Sequence, residues 1–176
     1  LQEHDPDRWV ADLKRLGYSA AYSPAGLDWN DARIESYAKA ACAAGIVIAE
    51  GGAWSNPMHP DNTKRKEAIA HCRKCLAIAD QIGARCCVNI TGSRGTVWDG
   101  PHPLNLTQET FDLIVETTRT IIDGVKPKRT FYALEAMPWM YPDSPKSYLE
   151  LIKAIDRKQF AVHLDPVNIV CSPQRF

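Results

Sequence analysis

Two short apolar runs end on a carboxylate and then break at a proline: TFYALEAMP over residues 130–138 and FAVHLDPVN over residues 160–168. Alternation along an extended chain puts Phe131, Ala133 and Glu135 on one face of the first run and Ala161, His163 and Asp165 on one face of the second. Each strand then delivers its acid at its C-terminal end, where parallel β/α sheets and barrels hold ligands and catalytic groups. Two such acids on neighbouring strands converge on one spot. Unscreened, one of the like charges must take up a proton, and a bound divalent cation is the simplest device that holds both. Glu135 and Asp165 are therefore the candidate metal-binding pair.

Each of these residues also has a structural reading. Glu135 could be a strand-end acid paired with a neighbouring cation such as Arg94, although an acid in the buried run LEAMP needs a partner in any case. Asp165 could be a turn former before Pro166. His163 lies two residues inside Asp165 and reads as a satisfied core histidine, or as a partner behind the ligands. Glu50 ends the apolar run IVIAE as Glu135 ends its own; it binds substrate hydroxyls, works as an acid or base, or caps the Gly51-Gly52 turn. Trp54, His59, Trp139 and Tyr141 fall in loops after strand ends, where aromatic faces stack on a sugar ring or close a pocket. Arg94, in the loop TGSRG, contacts a phosphate or carboxylate or covers a helix end, and the loop lacks the pattern of a phosphate-binding P-loop.

The elements that must position these residues alternate. Asp5 and Pro6 open a helix in the stretch EHDPDR that starts at Glu3, and it runs to a stop at Gly17. A short strand over residues 18–23 leads to a helix that starts near Asp31 and stops at Gly45. The strand over 46–50, the glycine- and proline-rich loop over 51–61 and a long helix over 60–82 follow. A strand over 85–90, a helix over 108–123 capped by Thr107, a strand over 130–135, a helix over 145–155 and a strand over 160–165 complete the series. Thr107 lacks the reciprocal glutamate or glutamine of a capping box, because the third residue on is Thr110. Strand ends recur every 27 to 45 residues or so, as right-handed βαβ crossovers require. The expected architecture is an α/β parallel (β/α) barrel, one domain over residues 1–176 and incomplete. A full eight-unit barrel takes about 250 residues, so five to six units are present and both ends look cut. An open barrel exposes two strand edges, which association between copies of the chain would hide.

The 21 basic and 21 acidic residues balance and the hydrophobic share is 45%, so nothing marks a nucleic-acid or membrane surface. No apolar run approaches the roughly 20 residues that span a bilayer. The six cysteines read as buried thiols rather than disulfides or a zinc site. Cys72 and Cys75 sit along one helical stripe, and adjacent Cys86 and Cys87 point to opposite faces of a strand. Reduced thiols suit the cytoplasm.

The stretch RKEAIAHCRKCLAIADQIGARCCVNITGSRG over residues 65–95, with Leu134-Glu135 and His163-Leu-Asp165, resembles the xylose-isomerase-like barrel superfamily of sugar isomerases and epimerases. Relatives of endonuclease IV also belong there. In its ketose 3-epimerase-like members a strand-end Glu, a strand-end Asp, a later His and a later Glu bind one divalent metal. The resemblance assigns the first two to Glu135 and Asp165 and puts the other two beyond Phe176. Those relatives carry a histidine three residues after the aspartate; here that residue is Asn168, which can bond a hydroxyl but cannot shuttle a proton near neutral pH. The implied chemistry is proton transfer next to a carbonyl of a sugar or polyol. Mn²⁺, Mg²⁺ or Co²⁺, with Zn²⁺ as a further candidate, would stabilise an enediolate. Glu135 would move the proton, Asp165 would hold the metal, and Asn168 and Trp139 would orient the substrate, with Glu50, His163 and Arg94 around it. Metal-dependent hydrolysis or elimination on the same barrel, or a barrel that only binds a polyol, are the alternatives.

Overall fold

The computed structural model describes residues 5–171. Glu3 and His4 at the expected first helix, and the segment after Cys171, lie outside the described residues. The elements run α1 (Pro6–Arg15), β1 (Ala20–Tyr22), α2 (Asp31–Ala44), β2 (Val47–Gly52), α3 (Asn62–Ile82), β3 (Cys86–Asn89), α4 (Gln108–Val125), β4 (Phe131–Glu135), α5 (Pro145–Ile155), β5 (Phe160–His163) and α6 (Pro166–Ile169). The strands form one sheet in the order β1-β2-β3-β4-β5, every neighbouring pair parallel. Helices join consecutive strands, so this is an α/β partial barrel.

Local chemistry fixes the helix ends. Side-chain oxygens of Asp5, Asn30, Asp61, Thr107 and Ser144 accept from backbone N–H groups in the first turns of α1 to α5 and satisfy donors that have no partner within the helix. Ser144 and Ser147 form a reciprocal capping box. Gly45 and Gly83 end α2 and α3 in the left-handed region, where a Cβ would be strained. The long helix starts at Asn62 rather than near residue 60, because Asp61 caps it.

Helix stripes pack on one face of the sheet. Leu76, Ile114, Ile121, Tyr132, Leu134 and Leu151 are buried in this layer. Three arginines tie it together by donating to carbonyls near the C-terminal ends of neighbouring helices: Arg73 to Thr120, Arg119 to Ala154 and Ile155, and Arg129 to Asp80 and Gln81. The Asp80 carboxylate accepts the backbone N–H groups of Lys128, Arg129 and Thr130 at 2.8, 2.6 and 3.1 Å, pinning the entry to β4 against the end of α3.

All six cysteines are free thiols. Burial pushes the Cys75 and Cys86 thiols up to about 11. No helix among the described residues is long and apolar enough to cross a membrane.

Two strand ends beside the expected site residues differ from the sequence expectation. Strand β5 stops at His163 instead of Asp165, because Pro166 cannot donate to a ladder and suits the first position of a helix. Asp165 caps that helix. Strand β2 continues past Glu50 through Gly51 and Gly52, which pair with Cys87 and Val88. At Gly52 a Cβ would meet the Tyr22 hydroxyl and the Trp54 indole, so a larger residue would have to displace those side chains.

Candidate active site

Glu135, His163, Asp165, Asn168 and Glu50 come together where β2, β4 and β5 end. In the β4–β5 ladder Glu135 is paired with His163, so the two side chains stand beside each other at the last rung. Asp165 follows two residues later as the cap of α6, its Oδ1 accepting the Asn168 backbone N–H at 3.1 Å. The alternation that groups His163 with Asp165 therefore holds only to the end of the strand. A helix cap brings Asp165 to Glu135, with which it shares a side-chain hydrogen bond.

Glu50 arrives by a different route. An extra residue in β2 sets two residues, Ala49 and Glu50, against Tyr22 alone on β1. A one-residue slip reverses side-chain parity, so Glu50 does not follow buried Ile48 toward the helices. Instead its Oε2 lies 2.9 Å from His163 Nε2. A carboxylate only accepts, so in the neutral imidazole Nε2 carries the proton. The other nitrogen, Nδ1, is buried without a hydrogen-bond partner, 3.7 Å from Glu135 Oε2.

The electrostatics separate the two central acids. The Glu135 side chain is 16% exposed. Burial raises its carboxyl above the usual range, the bond to Asp165 and the charges of Asp165 and Glu50 raise it further, and His163 opposes them. Asp165 moves the other way, held down chiefly by the Asn168 backbone N–H and also by its bond to Glu135. Of the two, Glu135 therefore holds a proton more tightly than Asp165. Asn168 Nδ2 donates to Glu135 Oε1 at 3.2 Å and touches Met137 Sδ at 3.5 Å, which fixes the plane of the carboxyl group. Two adjacent carboxyl groups form a hard oxygen donor set, of a kind that suits a small divalent cation. Among the described residues, no group of three or more His, Cys, Asp or Glu is arranged to hold an ion.

The remaining expected site residues make contacts of their own. Arg94 takes the helix-end reading: its guanidinium donates to Thr110 Oγ1 at 3.1 Å and Glu109 Oε1 at 3.0 Å on α4, and its backbone N–H to Asn105. It is neither the partner of Glu135 nor a group presented to the acids. Trp139 bridges two loops by donating its indole N–H to the Asp99 carbonyl at 2.7 Å. Tyr141 packs edge-on against Phe111 and donates to the Leu106 carbonyl. His59 accepts the Asp61 N–H within its own loop. Of the four loop aromatics, Trp54 alone sits at a strand end beside Tyr22 and Gly52. His163 is not a satisfied core histidine, since it lies in the acid cluster with one nitrogen unpartnered.

One residue of the site has no motif. Tyr148 of α5, buried, reaches the strand ends with its hydroxyl 2.8 Å from the Leu134 carbonyl and 2.9 Å from that of His163. Its only sequence signal is a tyrosine in the apolar stripe with Leu151 and Ile155, where a phenol must find a partner.

Parallel β/α architecture with acids gathered at the strand ends defines the class of barrels that hold their ligands at that face. Residues 10–175 match the family described as xylose isomerase-like TIM barrel, and the chain belongs to that family. Comparison with curated proteins yields no match. Among solved structures, D-psicose 3-epimerase from Clostridium cellulolyticum H10 superposes with a TM-score of 0.67 at 17% identity over 91% of this chain. A xylose isomerase-like TIM barrel protein from Mycobacterium smegmatis, in complex with magnesium, gives 0.64 at 16% identity over 96%. The probable 3-DHS dehydratase AsbF from Bacillus anthracis gives 0.66 at 14% identity over 96%. The match covers 57%, 59% and 60% of those three chains, so this chain spans less than two thirds of their length.

Proposed function

We propose that the chain carries the acid/base half of a divalent-metal-dependent sugar isomerase or epimerase, which transfers a proton at a carbon next to a carbonyl. The observation that carries this reading is the Glu135–Asp165 pair. It consists of a half-buried carboxyl with raised proton affinity at the end of β4, beside a carboxylate with lowered affinity that caps the helix after β5. The epimerase and the magnesium-bound protein among the structural neighbours support it by analogy.

Glu135 and Asp165 would hold the cation, for which Mn²⁺, Mg²⁺ and Co²⁺ suit an oxygen donor set best. When bound it would supply Lewis-acid polarisation of the substrate carbonyl. Glu135 Oε2 takes the proton from the substrate carbon and returns it. Asn168 keeps Oε1 occupied, which leaves Oε2 as the transferring atom. His163 and Glu50, bound to each other, face the same space and offer acceptors to the hydroxyls of a polyol.

Elimination of water from a hydroxy-ketone starts with the same proton abstraction, and the dehydratase neighbour favours that second reading. One experiment separates the two. A panel of ketoses and aldoses is incubated in D₂O with Mn²⁺. The isomerase reading expects deuterium at the carbon next to the carbonyl with the sugar's hydroxyls retained, and a rate about 10²–10⁴-fold lower in Glu135→Gln. Loss of water in place of wash-in supports elimination. Neither reaction in protein that binds Mn²⁺, or wash-in that Glu135→Gln leaves unchanged, contradicts a catalytic Glu135.

A further inference from the structure

The Tyr148 hydroxyl sits where β4 and β5 part. It donates toward the carbonyls of Leu134 and His163 at 2.8 and 2.9 Å, and the Ala136 backbone N–H donates to it in return. Leu134 and Ala136 flank Glu135 in the chain, and His163 is its ladder partner. One phenol thus grips the backbone on both sides of Glu135 and joins it to the strand that leads to Asp165. The parallel ladder ends at the Glu135–His163 pair, after which β4 enters the loop around Met137 and β5 turns into α6. No further ladder rung joins the two strands beyond this pair, and the hydroxyl bridges their backbones instead.

The grip is itself rigidly held. Tyr148 enters on the first turn of α5, whose start is fixed by Pro145 and by the Ser144–Ser147 capping box. Its ring is buried, and burial together with the Glu135 charge pushes the phenol up, so it stays a proton donor across the working pH range.

We propose that Tyr148 is a positioning residue that sets the spacing of Glu135 and Asp165 by bridging the diverging ends of β4 and β5. It touches neither carboxylate nor substrate and acts through the backbone that carries both acids. The inference deepens the reading of the same site as a metal-assisted proton-transfer centre. Its test separates failure of the inference from failure of that reading.

The variant is Tyr148→Phe, which keeps the ring and removes only the hydroxyl. Tyr132→Phe is the control: Tyr132 lies on β4 and is likewise buried, and its hydroxyl bonds Cys72 and Asn89 away from the C-terminal ends of β4 and β5. Two readouts are taken on the full chain, Mn²⁺ affinity and site-resolved amide hydrogen exchange along β4 and β5. Tyr148→Phe is expected to weaken Mn²⁺ binding about 10–100-fold, as loss of a ligand-orienting partner does elsewhere. It should also speed exchange around Glu135 and Leu164 while leaving the N-terminal ends of both strands protected. Tyr132→Phe should leave Mn²⁺ affinity at the wild-type value although it too loses a buried hydrogen bond. Equal effects of the two variants on affinity, or strand-end protection unchanged in Tyr148→Phe, overturn the proposal. If the wild-type chain binds no Mn²⁺, the metal reading fails by itself, and the exchange pattern alone decides whether Tyr148 positions the strand ends.

Discussion

At the scale of single residues, Glu135 is held in an unfavourable state. Its carboxyl is raised by burial and by two neighbouring acids, so at neutral pH the folded chain carries a charge that the unfolded chain accommodates more easily. The linkage has a definite sign. An acid whose folded affinity for protons exceeds its unfolded one costs stability once pH exceeds the folded value, and costs nothing below the unfolded value near 4.5. Glu135→Gln should therefore stabilise the metal-free protein at pH 7 to 8 by about 1 kcal/mol, a size typical of relieving a functional strain. The gain should vanish below about pH 4. Thermal unfolding with a chelator across this range checks it, and a variant less stable than wild type at pH 8 would mean that Glu135 is a structural partner instead. How much of this was legible in the sequence differs from residue to residue. An acid before a proline break at the end of each apolar run marks Glu135 and Asp165, although a helix cap and not strand alternation brings Asp165 to Glu135. These signals do not reveal the pairing of Glu50 with His163, because that depends on one extra residue in β2, and a bulge leaves no mark in an apolar run such as IVIAE. Arg94 was equally open between ligand and helix end. Only the position of Thr110 and Glu109 across the loop decides it.

At the scale of elements, the position of Glu135 is set from both ends of β4. Tyr148 holds the strand's exit. Asp80 holds its entry, where one carboxylate oxygen accepts three successive N–H groups at 2.6 to 3.1 Å. Asp80→Ala should cost about 1–2 kcal/mol, the scale of a lost cap, because water can replace part of what is lost at this exposed corner. Asp80→Asn should keep much of it through its amide oxygen. Urea midpoints of the two variants check the order, and an Asn variant no better than Ala would show that the N–H groups need no acceptor. Helix boundaries were legible wherever the capping chemistry is local, as at Asp5, Thr107, Gly45 and Gly83. The Ser144–Ser147 box was not, because its third residue is a serine rather than a glutamate. The end of the last strand is not legible, since an acid before a proline looks alike as a strand end and as a helix cap.

At the scale of the whole molecule, the five-stranded parallel sheet gathers residues from positions 50 to 168 at one face, and none of them is a neighbour of all the others in sequence. Fold class followed from the regular return of apolar runs separated by helical stripes, a signal spread over the whole chain and robust to an error in any one element. The site rests on register and on a single bulge, so less of it could be read in advance. The account's central claim is that Glu135 and Asp165 together hold one divalent cation, and Mn²⁺ binding measured by calorimetry on wild type, Glu135→Gln and Asp165→Asn tests it most directly. The account predicts one Mn²⁺ per wild-type chain and loss of that binding in each variant, with all three proteins folded. A folded wild-type chain that takes up no Mn²⁺, or binding that survives both substitutions, would contradict it.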